Sequence, residues 1–183
     1  MRYSFATALV LSTFSLSTYA ATSTHVIGTN LGYGMVNYDA PTSGESGDMF
    51  LGEIYYRYMP THNFGIEAGY KGAFDGIGSI LVSPISEVTN TTFSGPRLSG
   101  YASYPLGAGF EVYGKAGVTY YTLAYTYSVN DQSRDIEKSS LGGEAAAGLG
   151  WSYKHFGLNA EYVYSKNSDF DSSGVMFGAQ LRF

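Results

Sequence analysis

The 183-residue chain contains no cysteine, only 5 prolines and only 14% charged residues. Without cysteine there is no disulfide framework and no thiolate metal centre. Average usage includes about a quarter charged residues, so so little charge argues against a cytosolic α/β enzyme. Scarce proline beside abundant aromatics argues against disorder and collagen-like structure. Beyond the first 20 residues no run reaches the roughly 20 apolar residues that a spanning helix needs. Basic residues are also few, 10 against 15 acidic, for a formal net charge of −5. That sign does not suit a protein that binds nucleic acid by neutralising phosphates.

What is present in excess is glycine and aromatic residues: 24 Gly, 18 Tyr and 11 Phe. The opening MRYSFATALVLSTFSLSTYA carries one positive charge at Arg2, an apolar run over 5–16 and a small-residue end at Ala20 and Ala21. This pattern predicts a secretory signal peptide over residues 1–20, cut after Ala20, with residues 21–183 as a single domain. Ser12, Thr13 and Ser15 interrupt the run, which is too short for a membrane anchor.

The rest of the chain alternates with a period of two, the signature of strands with one apolar face. Ile27, Leu31, Tyr33 and Met35 share one phase, with Gly28, Asn30, Gly32 and Gly34 between them. Phe50, Ile54, Tyr56 and Tyr58 repeat the pattern against Glu53, Tyr55 and Arg57, as do Phe64, Ile66, Ala68, Tyr70 and Phe74 against Gly65, Glu67, Gly69, Lys71 and Ala73. Five further segments, up to Val175, Phe177, Ala179, Leu181 and Phe183, bring the number to eight, many near the 9 to 11 residues that cross a bilayer when tilted. Connections alternate in length. Short turns are expected near 59–63, 105–109 and 154–155, and long polar segments near 39–48, 75–96, 127–139 and 165–173. That alternation matches outer-membrane barrels, with short periplasmic turns and long external loops. Tyr56, Tyr58, Phe64, Tyr104, Phe110, Trp151, Tyr153, Phe156 and Phe183 then fall beside the short turns as an interfacial aromatic girdle. The fold class expected is all-β, an eight-stranded antiparallel up-and-down transmembrane β-barrel.

With its signal peptide, eight alternating strands, the phrases IYYRYMPTHNFGIEAGYKGAF and SYPLGAGFEVYGKAGVTYY and the terminal GAQLRF, the mature chain resembles the small outer-membrane β-barrel family that includes the OmpA transmembrane domain and the OmpX/Ail-type proteins. The resemblance implies a Gram-negative outer-membrane location, outer-membrane lipid as surroundings, and the barrel-assembly machinery and periplasmic chaperones as partners. It also implies that Ala179, Leu181 and Phe183 form the terminal signal read during assembly.

An eight-stranded barrel is just wide enough for side chains to fill. Glu53, Arg57, Glu67, Lys71, Lys115, Glu144, Glu161 and Arg182 fall on the polar phase, four acids and four bases. Placing Tyr58 opposite Phe64 makes Arg57 and Glu67, and likewise Glu53 and Lys71, diagonal neighbours about 7 to 8 Å apart. These residues are expected to form a paired luminal plug, because an uncompensated buried charge costs several kcal/mol.

No catalytic constellation is visible. His62 and His155 fall in short turns, His25 precedes the first strand, and Ser172, Ser173 and Gly174 read as a polar turn. Loop carboxylates show no calcium-loop spacing. No metal, cofactor or nucleic-acid partner is expected. The apolar tract at 76–85 reads as a strand extension rather than a partner-binding patch, and the segment TYSVNDQSRDIEKSS as a protruding hairpin with a charged tip; the resemblance implies that such a hairpin meets a host or surface ligand, in adhesion or resistance to host defence. Two functional readings follow: a side-chain-filled barrel acting in envelope integrity or surface adhesion, or a narrow pore lined by its many luminal glycines. An outer-membrane lipid-modifying enzyme is a distant third.

Overall fold

The computed structural model describes residues 24–38, 46–75, 88–129 and 132–183. Eight strands follow in order: β1 (His25–Tyr38), β2 (Ser46–Tyr58), β3 (Phe64–Asp75), β4 (Val88–Gly107), β5 (Phe110–Val129), β6 (Gln132–Tyr153), β7 (Phe156–Lys166) and β8 (Phe170–Arg182). Each pairs antiparallel with the next, and β1 pairs with β8, so the sheet closes into a barrel. Closure is what lets strands lie in lipid, because every backbone polar group inside the bilayer must find a protein partner. Along β7 the side chains alternate strictly between exposed and interior.

The apolar phase faces outward as expected. Leu31, Ile54, Ile66, Leu98, Val118, Leu149, Leu158 and Phe177 are large apolar residues exposed on the barrel wall. The short-turn rim carries the exposed rings of Tyr56, Tyr58, Phe64, Tyr104, Phe110, Tyr153, Phe156 and Phe183, with Trp151 half-buried and stacked on Tyr153. A second set, Tyr33, Tyr70, Tyr120 and Tyr164, is exposed toward the other end. From Phe110 to Tyr120 the strand rises roughly 33 Å, or about 25 Å along the axis at the usual tilt, which matches the apolar band of outer-membrane barrels.

The register differs from expectation by two residues at the first short turn. Tyr58 faces Ile66, so Arg57 lies directly opposite Glu67 and Glu53 directly opposite Lys71. The turn is wider than its polar residues suggest, because Phe64 leaves β2 and pairs with Ala102 of β4. Thr61 Oγ1 accepts a hydrogen bond from the Phe64 amide at 3.0 Å and holds the bend. The 105–109 turn takes its shape from Gly107 and Gly109, at φ of 99° and 83°, where a side chain would be strained.

Two expected long loops are mostly strand. Only residues 167–169 separate β7 from β8, and Asn167 Oδ1 accepts from the amides of Asp169 and Phe170, both at 2.9 Å. The β5–β6 ladder runs to Val129 opposite Gln132, so the described part of 127–139 forms the protruding hairpin expected there. Both stretches look loop-like because inward faces of a barrel are polar too. His25 opens β1 rather than preceding it. The predicted signal peptide, its cleavage site and the apolar tract at 76–85 lie outside the described residues.

Candidate functional site

Among the described residues, the topology gathers charge in the lumen. Glu53, Arg57, Glu67, Lys71, Lys115, Glu144 and Glu161 are all buried inside the barrel. Each is placed there by the phase that turns its apolar neighbours to the outside. Arg57 and Glu67 meet at 2.5 Å, Lys71 and Glu144 at 2.6 Å, and Lys115 and Glu161 at 3.0 Å. The Arg57 guanidinium also lies over the Tyr101 ring, 3.6 Å from its centre.

Arg182 is not part of this cluster. It pairs with Glu111 at 2.5 Å near the short-turn mouth, bridging β8 to β5 across the lumen, and both groups remain partly solvated.

The member missing from the sequence-based set is Arg97 of β4. It pairs with Glu53, touches Glu67 at 2.5 Å and approaches Glu144 to 3.7 Å, linking acids from β2, β3 and β6. Its phase was legible, since Leu98, Ala102 and Tyr104 face outward. Arg97 stands one residue past the long polar segment expected at 75–96, whereas β4 already begins at Val88. With Arg97 included, four acids and four bases form the central tier, and Glu111 with Arg182 makes a fifth pair.

Tyrosines and amides complete the lattice. Tyr113 Oη donates to Glu161 at 2.9 Å and Tyr121 Oη to Glu144 at 2.9 Å. Ser165 Oγ also donates to Glu144, at 2.6 Å. Asn30 Nδ2 reaches Glu161 at 3.3 Å, adding β1 to strands already tied across the barrel.

The luminal glycines do not form a passage. A methyl group on Gly148 would meet the Tyr113 ring at 2.7 Å, and one on Gly157 would meet Gln180 at 2.8 Å. Gly28 is covered by the Tyr55 ring and Gly32 by Met176. These glycines are seats for long side chains arriving from other strands, which is how a narrow barrel fills its interior.

The histidines stand apart from the luminal cluster. His62 and His155 are exposed on the short turns, and His25 Nδ1 shares a 2.6 Å hydrogen bond with Tyr56 Oη at the rim. Among the described residues no group of His, Asp and Glu is arranged to hold a metal ion. Leu181 and Phe183 face outward on the last strand, with Ala179 half-buried between its neighbours. Phe183 exchanges two backbone hydrogen bonds with His25, at 2.9 and 3.0 Å, and stacks on its ring.

A model of the family described as outer membrane protein beta-barrel domain matches residues 6–183. The chain belongs to that family. This places it in a bacterial outer membrane, spanning with strands. Among solved structures, it is similar to the Neisserial surface protein A, with 12% identity and a TM-score of 0.68 over 89% of this chain and 99% of that one. OprG from Pseudomonas aeruginosa gives 16% identity and a TM-score of 0.59, covering 88% and 97%. Ail, the attachment invasion locus protein of Yersinia pestis, gives 20% and 0.56, covering 86% and 98%. At these identities the likeness is one of fold. A search of curated proteins finds no match.

Proposed function

We propose that this outer-membrane β-barrel is a closed, non-enzymatic scaffold that acts at the cell surface, in adhesion or envelope integrity, through what it holds above the membrane. The observation that carries this reading is the interior: four acids and four bases packed together, each less than a tenth exposed. These groups and the side chains packed around them fill the narrow interior of an eight-stranded barrel.

The surface role is supported by the uneven strand lengths. β4, β5 and β6 have 20, 20 and 22 residues, whereas β7 has 11. The β6–β7 ladder begins only at Gly143, so among the described residues Gln132–Gly142 have backbone pairing on their β5 side alone. A sheet edge of this kind can accept an extended segment of another protein. The fold likeness to the attachment invasion locus protein of Yersinia pestis agrees with such a role. Proposed partners are a host or surface ligand for the loops, outer-membrane lipid around the barrel, periplasmic chaperones, and the barrel-assembly machinery that reads Ala179, Leu181 and Phe183.

Single-channel recording of the purified protein in planar bilayers, beside a binding screen of cells that display it, tests the reading. A silent barrel and binding lost on shortening the β5–β6 hairpin are expected. Steady conductance would favour the narrow pore instead.

A further inference from the structure

The interior of an outer-membrane barrel is ordinarily polar. Here it is polar over only part of its length. On the side of the charged tier away from the short turns, the inward residues become Val36, Met49, Leu51, Phe93, Tyr121 and Phe170, with Leu123 and Met176 beside them, and these form a buried apolar cluster. The Phe93 ring lies 4.7 Å from that of Phe170 and 5.2 Å from that of Tyr121, centre to centre. Val36, Phe170 and Met176 have no exposure at all, although they stand toward the loop-bearing end.

We propose that this apolar tier, and not the charged tier beneath it, is the permeability barrier of the barrel. The inference rests on the closed-lumen reading above and names the layer that does the closing.

The two tiers differ in what they offer an ion. In the charged tier most groups have alternative partners. Arg97 contacts Glu53, Glu67 and Glu144, Lys115 contacts Glu53, Glu67 and Glu161, and Lys71 contacts Glu53 and Glu144. Such a lattice can exchange partners around a passing ion, and loss of one acid together with one base leaves it neutral. In the apolar tier the three rings offer no counter-charge, and apolar constrictions stop ions by excluding water. The only polar atom those rings carry, Tyr121 Oη, is directed to Glu144.

The test compares three full-length proteins in planar bilayers. The natural barrel and the charge-tier variant Arg57→Ala/Glu67→Ala should both stay silent. The apolar-tier variant Phe93→Ser/Phe170→Ser should conduct at least about tenfold above that background, because water can then enter the constriction. Conductance from the charge-tier variant, or silence from a folded apolar-tier variant, would overturn the barrier assignment alone. Steady conductance of the natural protein would instead overturn the closed lumen.

The absence of native cysteine supplies a second measurement should the double serine variant fold poorly. Ser103→Cys lies near the short-turn mouth, half-buried. In phosphatidylcholine vesicles a small charged thiol reagent should label it only from that side. Adding the single change Phe170→Ala should open labelling from the opposite side as well. Labelling from both sides without that change, or from one side with it, would count against the apolar barrier.

Discussion

Arg97 serves acids from three strands, as Lys115 does, whereas among the described residues Arg57 is paired with Glu67 alone. Arg97→Ala should therefore destabilise the barrel more than Arg57→Ala. Breaking one buried pair typically costs about 3 to 5 kcal/mol, less where water enters. Urea unfolding of the two variants in the same lipid, with equal losses, would remove Arg97 from its central place. Arg57 and Glu67 face each other across the β2–β3 ladder, so the double variant should recover part of the loss caused by Arg57→Ala. A double-mutant cycle with additive energies would show that the two are not coupled. Glycines divide by the same reasoning. Gly148→Ala would drive a methyl group into Tyr113 and should cost about 1 to 3 kcal/mol. Gly100→Ala points outward, its nearest new contact 3.9 Å away, and should be neutral or mildly stabilising. Melting temperatures of the pair decide between packing and passage as the reason for luminal glycine.

At the scale of the strand, closure depends on β1 meeting β8. The seam ends in the exchange of hydrogen bonds between His25 and Phe183, with their rings stacked. Deleting Phe183 removes both bonds and the ring, and should slow insertion and leave unfolded chain in the periplasm. Heat-modifiable, folded protein at normal levels after the deletion would count against this. The long β5–β6 hairpin has the opposite character. Its ladder continues well past the β6–β7 pairing, so among the described residues Gln132–Gly142 pair on their β5 side alone. Shortening the hairpin tip should leave the melting of the barrel within about 0.5 kcal/mol of the natural protein, as for changes away from packed features.

The whole molecule is organised by its solvent. Its luminal charges balance, with Glu53, Glu67, Glu111, Glu144 and Glu161 against Arg57, Lys71, Arg97, Lys115 and Arg182, so the formal charge of −5 resides elsewhere. A neutral interior avoids the cost of an unpaired charge in a space surrounded by lipid. The mature protein should begin near Ala21 and fractionate with the outer membrane. N-terminal sequencing that finds Met1 on inner-membrane material would contradict the processing expected from the first 20 residues.

The sequence by itself determined the architecture, because lipid outside and a narrow polar space inside impose a period of two that survives in every strand. It determined the strand number, the outward apolar wall, the aromatic rim and seven of the eight central charges; Arg97 stands just past the polar segment at 75–96, where alternation does not mark the start of β4. What tertiary structure alone decided was anything that depends on register or on contact across the barrel. The wide first turn set Arg57 opposite Glu67, a shift of two residues that leaves the face of every side chain unchanged and so leaves no mark on the alternation. The separation of Arg182 from the central tier, the seating of Tyr113 on Gly148 and the gathering of Phe93, Tyr121 and Phe170 each join residues distant along the chain. Local patterning records which way a side chain faces; only closure of the barrel determines what it meets there.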